Sequence, residues 1–259
     1  MSIGFLLALV LTASPTPAAP AAQTAADASA LPASALDTPP SAPADEALAP
    51  ELQKAVDAMQ HFYESTERFE ADFTQIYSYS TFARETKSTG HLRFHKGAAS
   101  LRWDYRTPNE KSFVVAADKF FAYDKEAKQI LVADMDSDRI SASVSFLWGK
   151  GRLDREFRIR PSPRDDLKDG IALELTPKVP DPRFKKVYFL IDRKDFSVKE
   201  TLVIDPDGSE NHVIFGKFTT DGKFGREAFL LSPPPDVQVI RFDQQKPAPS
   251  GKSADKDKK

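Results

Sequence analysis

Residues 90–108 constrain this chain more than any other stretch. Leu92 and Phe94, then Leu101, Trp103 and Tyr105, take every second position, and the positions between them are mainly charged. A period of two describes strands with one apolar and one wet face. The apolar face carries rings where an ordinary sandwich core favours Val and Ile, and no catalytic group lies nearby. Such a surface, if concave, suits holding something apolar. Nineteen Phe in 259 residues can also simply build a core, so cavity lining and core packing both stand as readings of this face.

The flanks differ from the body. Ile3 to Leu11 is an apolar run of signal-peptide length, too short to span a bilayer as a helix. Small residues follow it, with Ala19-Pro20-Ala21 and Ala28-Ser29-Ala30 as candidate cleavage sites. The expected organisation is a signal peptide over 1–21, an Ala/Pro-rich linker over 22–50, a folded domain over 51–243 and a polar tail over 244–259. An exported protein without any cysteine has no disulfide, no thiolate metal site, no thiol nucleophile and no lipidation cysteine. A soluble, unanchored periplasmic protein is expected.

Charge sets a further limit. The chain carries −2, of which the first fifty residues hold −4 and the tail +3, leaving the body at −1. A near-neutral body offers no basic field for nucleic acid.

Within the body, Leu52, Val56, Met59 and Tyr63 recur at helical spacing behind Pro50, predicting a helix over 51–68. The period then switches to two at Phe69, Ala71 and Phe73. Further strands are predicted over 86–96, 100–106, 111–116, 119–123, 128–133, 155–160, 171–176, 185–192, 197–205, 210–219 and 227–231. Ile140, Val144, Leu147 and Trp148 return to helical spacing, with Gly149 and Gly151 as stops. Eleven or twelve strands with so few helices leave no room for parallel crossovers. The expected fold is mainly β with some α: one open antiparallel half-barrel, its concave side covered by the two helices.

Other chemistry finds little support. His91 and His95 are spaced i,i+4, but on a strand that is roughly 13 Å, too far for one ion. Asp134, Asp136 and Asp138 lack the glycine and distal glutamate of a calcium loop. No nucleophile–base or phosphate-cradling motif occurs, so neither enzyme activity nor a cofactor is expected.

Several pieces in order resemble the LolA family of periplasmic lipoprotein carriers. They are Phe69-Glu70-Ala71-Asp72-Phe73-Thr74-Gln75 after an amphipathic helix, Gly90-His91-Leu92, Arg102-Trp103-Asp104-Tyr105 with Pro108 behind it, Phe121-Ala122-Tyr123-Asp124, and Phe229-Leu230-Leu231-Ser232-Pro233-Pro234. The resemblance covers roughly Leu52 to Val239. It implies a LolA/LolB-like half-barrel of about eleven strands with a helical lid, and acyl chains held between lid and sheet. The residues it implies for acyl-chain binding are Phe73, Leu92, Phe94, Leu101, Trp103, Tyr105 and Phe121 on the sheet, with Phe146, Leu147 and Trp148 in the lid. It implies acylated lipoprotein cargo, loading by an inner-membrane ABC-type lipoprotein-releasing complex, hand-over to a LolB-like outer-membrane receptor, and a monomer. Many members have Arg-Pro where this chain has Lys96-Gly97, and that arginine is implied to latch the lid. Lys96 keeps the charge but not the planar five-donor fork. A carrier of another amphiphile, such as a glycolipid, and a lipoprotein-sensing regulator of the same fold are the alternatives.

Overall fold

The computed structural model describes residues 48–116, 118–135 and 152–242. Helix α1 (Pro50–Ser65) opens the domain, with proline in its first turn and Val56, Met59 and Tyr63 buried along one stripe. It stops three residues short of the predicted end. The Thr66 hydroxyl donates to the Phe62 carbonyl at 2.6 Å, Thr66 itself is extended, and the chain passes directly into β1.

Twelve strands follow: β1 (Arg68–Tyr79), β2 (Arg84–His95), β3 (Ser100–Thr107), β4 (Lys111–Ala116), β5 (Lys119–Asp124), β6 (Gln129–Asp134), β7 (Phe157–Pro161), β8 (Ile171–Pro177), β9 (Lys186–Ile191), β10 (Val198–Ile204), β11 (Glu210–Thr219) and β12 (Gln238–Phe242). They form one sheet in the order β12-β6-β5-β4-β3-β2-β1-β11-β10-β9-β8-β7. Two meanders, β1 to β6 and β7 to β11, are thus joined where β1 pairs with β11. One apolar cluster runs from Phe113 and Val115 through Trp103, Phe73 and Val213 to Leu173, Leu175 and Ile159. The sheet therefore curls around its own inner face, and α1 contributes Val56, Met59 and Tyr63 to the same cluster. The end strands β7 and β12 do not pair with each other, so the barrel stays open.

Two expectations need correction. Residues 227–231 are not a strand: Arg226–Phe229 is a 3-10 turn, followed by irregular chain through Pro233, Pro234 and Pro235, which have no N–H to give a ladder. A parallel pair does occur, since β12 lies parallel to β6, with Gln238 opposite Gln129. The chain reaches that edge through a strap, residues 220–237, laid across the outer face of the sheet. Arg102 on that face donates from Nη1 to the carbonyls of Ala228 and Leu230, both at 3.0 Å. Phe229 is buried against the His95 ring, with centroids 6.3 Å apart. Lys128 then meets Asp236 at 2.6 Å where the strap turns into β12. A strap of this length can span the sheet without a crossover helix, which is why helix count failed to exclude the parallel pair.

Candidate functional site

Register decides which side chains share the inner face. Across β2 and β3, Leu92 faces Trp103 and Phe94 faces Leu101, while Gly90 faces Tyr105. Across β1 and β2, Phe69 faces Phe94, Ala71 faces Leu92 and Phe73 faces Gly90. Because strand faces alternate, Phe73, Leu92, Phe94, Leu101, Trp103 and Tyr105 all point inward together. Their rings touch: Phe73 lies 4.7 Å from Trp103 and 5.0 Å from Tyr105, and Phe69 stacks on Phe94 at 4.9 Å between centroids. Trp103 is 1% exposed and Phe94 is fully enclosed, so in this state the inner face is packed.

Phe121 does not join them. It pairs with Val114 and Val132, whereas Phe120 pairs with Val115, whose partner is Leu101. Phe120 therefore faces inward and Phe121 outward. Phe146, Leu147 and Trp148 lie outside the described residues. Inner-face residues that sequence reading left out are Phe69, Phe113, Val115, Phe120 and Phe215 on one side, and Leu173, Leu175 and Phe189 on the other. Alternation in β8 (Leu173, Leu175) carried a usable signal; the unbroken apolar run Phe113-Val114-Val115 did not.

The cover is held at one end by few bonds. Lys96 Nζ donates to the Tyr63 and Glu64 carbonyls, each at 2.6 Å, so it grips the last turn of α1, where unpaired carbonyls and the negative helix end favour a cation. Partial burial pulls the Lys96 pKa below the ordinary lysine value, against the pull of Glu67 and Glu64. The Tyr63 hydroxyl accepts the Val198 N–H at 3.1 Å, tying the same turn to the far meander. Burial raises the phenol pKa of both Tyr63 and Tyr105 above the usual tyrosine value. Midway along α1, Asp57 pairs with Arg152 at 2.9 Å.

Charges on these strands lie on the outer face. His91 bonds Asp72 through Nδ1 at 2.9 Å and Glu70 through Nε2 at 3.1 Å, and its hydrogen bond holds the Asp72 carboxyl below the usual carboxylate range. His95 meets a different carboxylate, Glu67, at 3.4 Å. A polar cleft of about 700 Å³ lies at the rim, between Ser65–Arg68 and the start of the strap at 220–225. Among the described residues no helix is long and apolar enough to cross a membrane.

An inner face of packed rings, a helical cover and an open barrel edge invite comparison with known carriers. The family model of outer membrane lipoprotein carrier protein LolA matches residues 64–232. The chain belongs to the LolA family. Relatives named outer-membrane lipoprotein carrier protein include one from Methylobacillus flagellatus, 25% identical over 186 residues, covering 71% of this chain and 88% of that protein. Another, from Cupriavidus taiwanensis, is 24% identical over 196 residues, covering 74% of this chain and 90% of the relative. A solved structure of an uncharacterized conserved protein from Thermus thermophilus is 12% identical, with a TM-score of 0.49, covering 74% of this chain and 99% of that one. The LolA family is named for lipoprotein carriage, and the packed inner face of this member is lined mainly by rings and aliphatic side chains.

Proposed function

We propose that this protein carries lipoproteins through the periplasm, from inner to outer membrane, with their acyl chains held against the inner face of the sheet. The supporting observation is the continuous ring-lined surface from Phe69 to Phe113, covered by a helix whose last turn hangs on Lys96 and Tyr63. Acyl chains displace α1 and whatever adjoins it, and replace its apolar contacts with their own. Burying hydrocarbon is worth about 0.8 kcal/mol per CH₂, so a few chains outweigh the cover they remove. The protein hydrolyses nothing. An inner-membrane ABC-type lipoprotein-releasing complex supplies the work of loading, and a LolB-like outer-membrane receptor with a better groove takes the cargo from a monomeric carrier. Purifying the protein from its periplasm and identifying what travels with it by mass spectrometry tests the reading. Acylated proteins are the expected passengers; free glycolipid as the sole passenger would contradict it.

Lys96 is the latch in this scheme, acting on α1. Lys96→Leu removes two hydrogen bonds to the helix end and should leave the cover looser and slow the transfer of preloaded cargo to the receptor. Lys96→Arg should preserve transfer or tighten closure, since a guanidinium can reach both carbonyls at once. Equal transfer rates for the parent and both variants would remove Lys96 from the gating mechanism.

A further inference from the structure

The inner face is not apolar throughout. Toward the β1–β2 turn a row of polar side chains crosses it: Tyr105 on β3, Ser88 on β2, Gln75 on β1, Asn211 on β11 and Thr201 on β10, none more than 7% exposed. Register builds the row. Gln75 sits opposite Ser88 and Val213, and Val213 opposite Thr201. Two hydrogen bonds link its centre: the Tyr105 hydroxyl donates to Gln75 Oε1 at 2.8 Å, and Gln75 Nε2 donates to Asn211 Oδ1 at 2.8 Å.

A wall that only had to hold hydrocarbon would gain nothing from these groups. Buried amides and hydroxyls are tolerated only while each has a partner, and an apolar residue of similar size would pack there at less risk. Hydrocarbon burial scales with area, so an apolar wall cannot recognise where an acyl chain ends. That point is chemically marked. The chain joins its head group through an ester or amide carbonyl, which loses its water when covered.

We infer that the Tyr105–Gln75–Asn211 row is a subsite for these ester and amide carbonyls, and that it fixes how deep the acyl chains sit. The inference rests on the carrier reading above and adds a recognition element to it. In the closed protein the side chains satisfy one another. On loading, the Tyr105 hydroxyl turns from Gln75 Oε1 to a lipid carbonyl, while the Gln75 amide nitrogen keeps Asn211 and offers its second N–H to another, so two bonds to the lipid replace the one given up. None of the five side chains carries a cation, so the row suits neutral carbonyls and not phosphate or carboxylate.

Two probes separate this role from hydrocarbon binding: a synthetic triacylated lipopeptide, and an alkyl-tailed fluorophore with no ester or amide. Both are titrated into the parent protein, Gln75→Met and Tyr105→Phe, with thermal melts confirming that each variant is folded. Lipopeptide affinity should fall about tenfold relative to the alkyl probe in each variant. If Gln75→Met fails to fold, Tyr105→Phe, which loses a single hydroxyl, decides the outcome by the same ratio. An unchanged ratio, including equal losses for both probes, would overturn the subsite and leave the carrier reading standing. A parent protein that binds neither probe would overturn the carrier reading itself.

Discussion

Gly90→Val should destabilise this sheet by about 3 kcal/mol or more. A Cβ at position 90 would stand 2.1 Å from the Asp104 carbonyl oxygen and 2.4 Å from the Phe73 ring. The ring could turn aside, but the carbonyl belongs to the neighbouring strand, next to the place where the β2–β3 register shifts between Thr89 and Gly90. A glycine in a strand marks such a close approach. Overpacking of a core costs about 1–3 kcal/mol, and a backbone clash belongs at or above the top of that range. Urea unfolding measures it. A Gly90→Val protein within about 1 kcal/mol of the parent would mean that β2 and β3 can separate more easily than their pairing implies.

Trp103→Ala should cost about 3–5 kcal/mol in the empty carrier, the usual penalty for emptying the site of a buried ring. Trp103 lies between Leu92 and Phe113 in register, with Phe73 at 4.7 Å and Phe215 at 6.2 Å between centroids. The carrier reading adds a second expectation. An acyl chain entering beside position 103 fills part of the void, so saturating lipopeptide should narrow the gap in melting temperature between variant and parent. A gap of the same size with and without lipopeptide would place the cargo away from Trp103.

Sequence reading succeeded where one face of a strand carries charge and failed where both faces are apolar. Leu101, Trp103 and Tyr105 alternate with Arg102 and Asp104, whose charged groups mark the outer face, and the parity of β3 follows directly. In β4 the turn of the strap and the core cover opposite faces, so Phe113-Val114-Val115 reads as an apolar run without parity, and the half-buried pair Phe120-Phe121 on β5 shows none either. Phe121, which the family resemblance counted among the acyl-binding residues, lies on the outer face, and the pairing of Phe120 with Val115 shows it. The strap itself was invisible because its partners are distant: Arg102 meets carbonyls 126 and 128 residues away. Gln75 sits within a recognisable Phe-Thr-Gln segment, yet its role depends on Asn211, 136 residues on. Lys96 was legible as a charge beside the cover, but its partners are backbone carbonyls, which no residue type announces.

The most direct test of acyl-chain binding on the inner face uses the two adjacent phenylalanines. A photo-crosslinking amino acid is placed at Phe120 in one protein and at Phe121 in another, and each is irradiated with bound triacylated lipopeptide. Both positions are partly buried and neighbours in the chain, but their side chains leave opposite faces of β5. Lipopeptide should be captured from position 120 and not from position 121. Capture from position 121, or from neither while the lipopeptide remains bound, would contradict a carrier that holds its cargo inside the curl of the sheet.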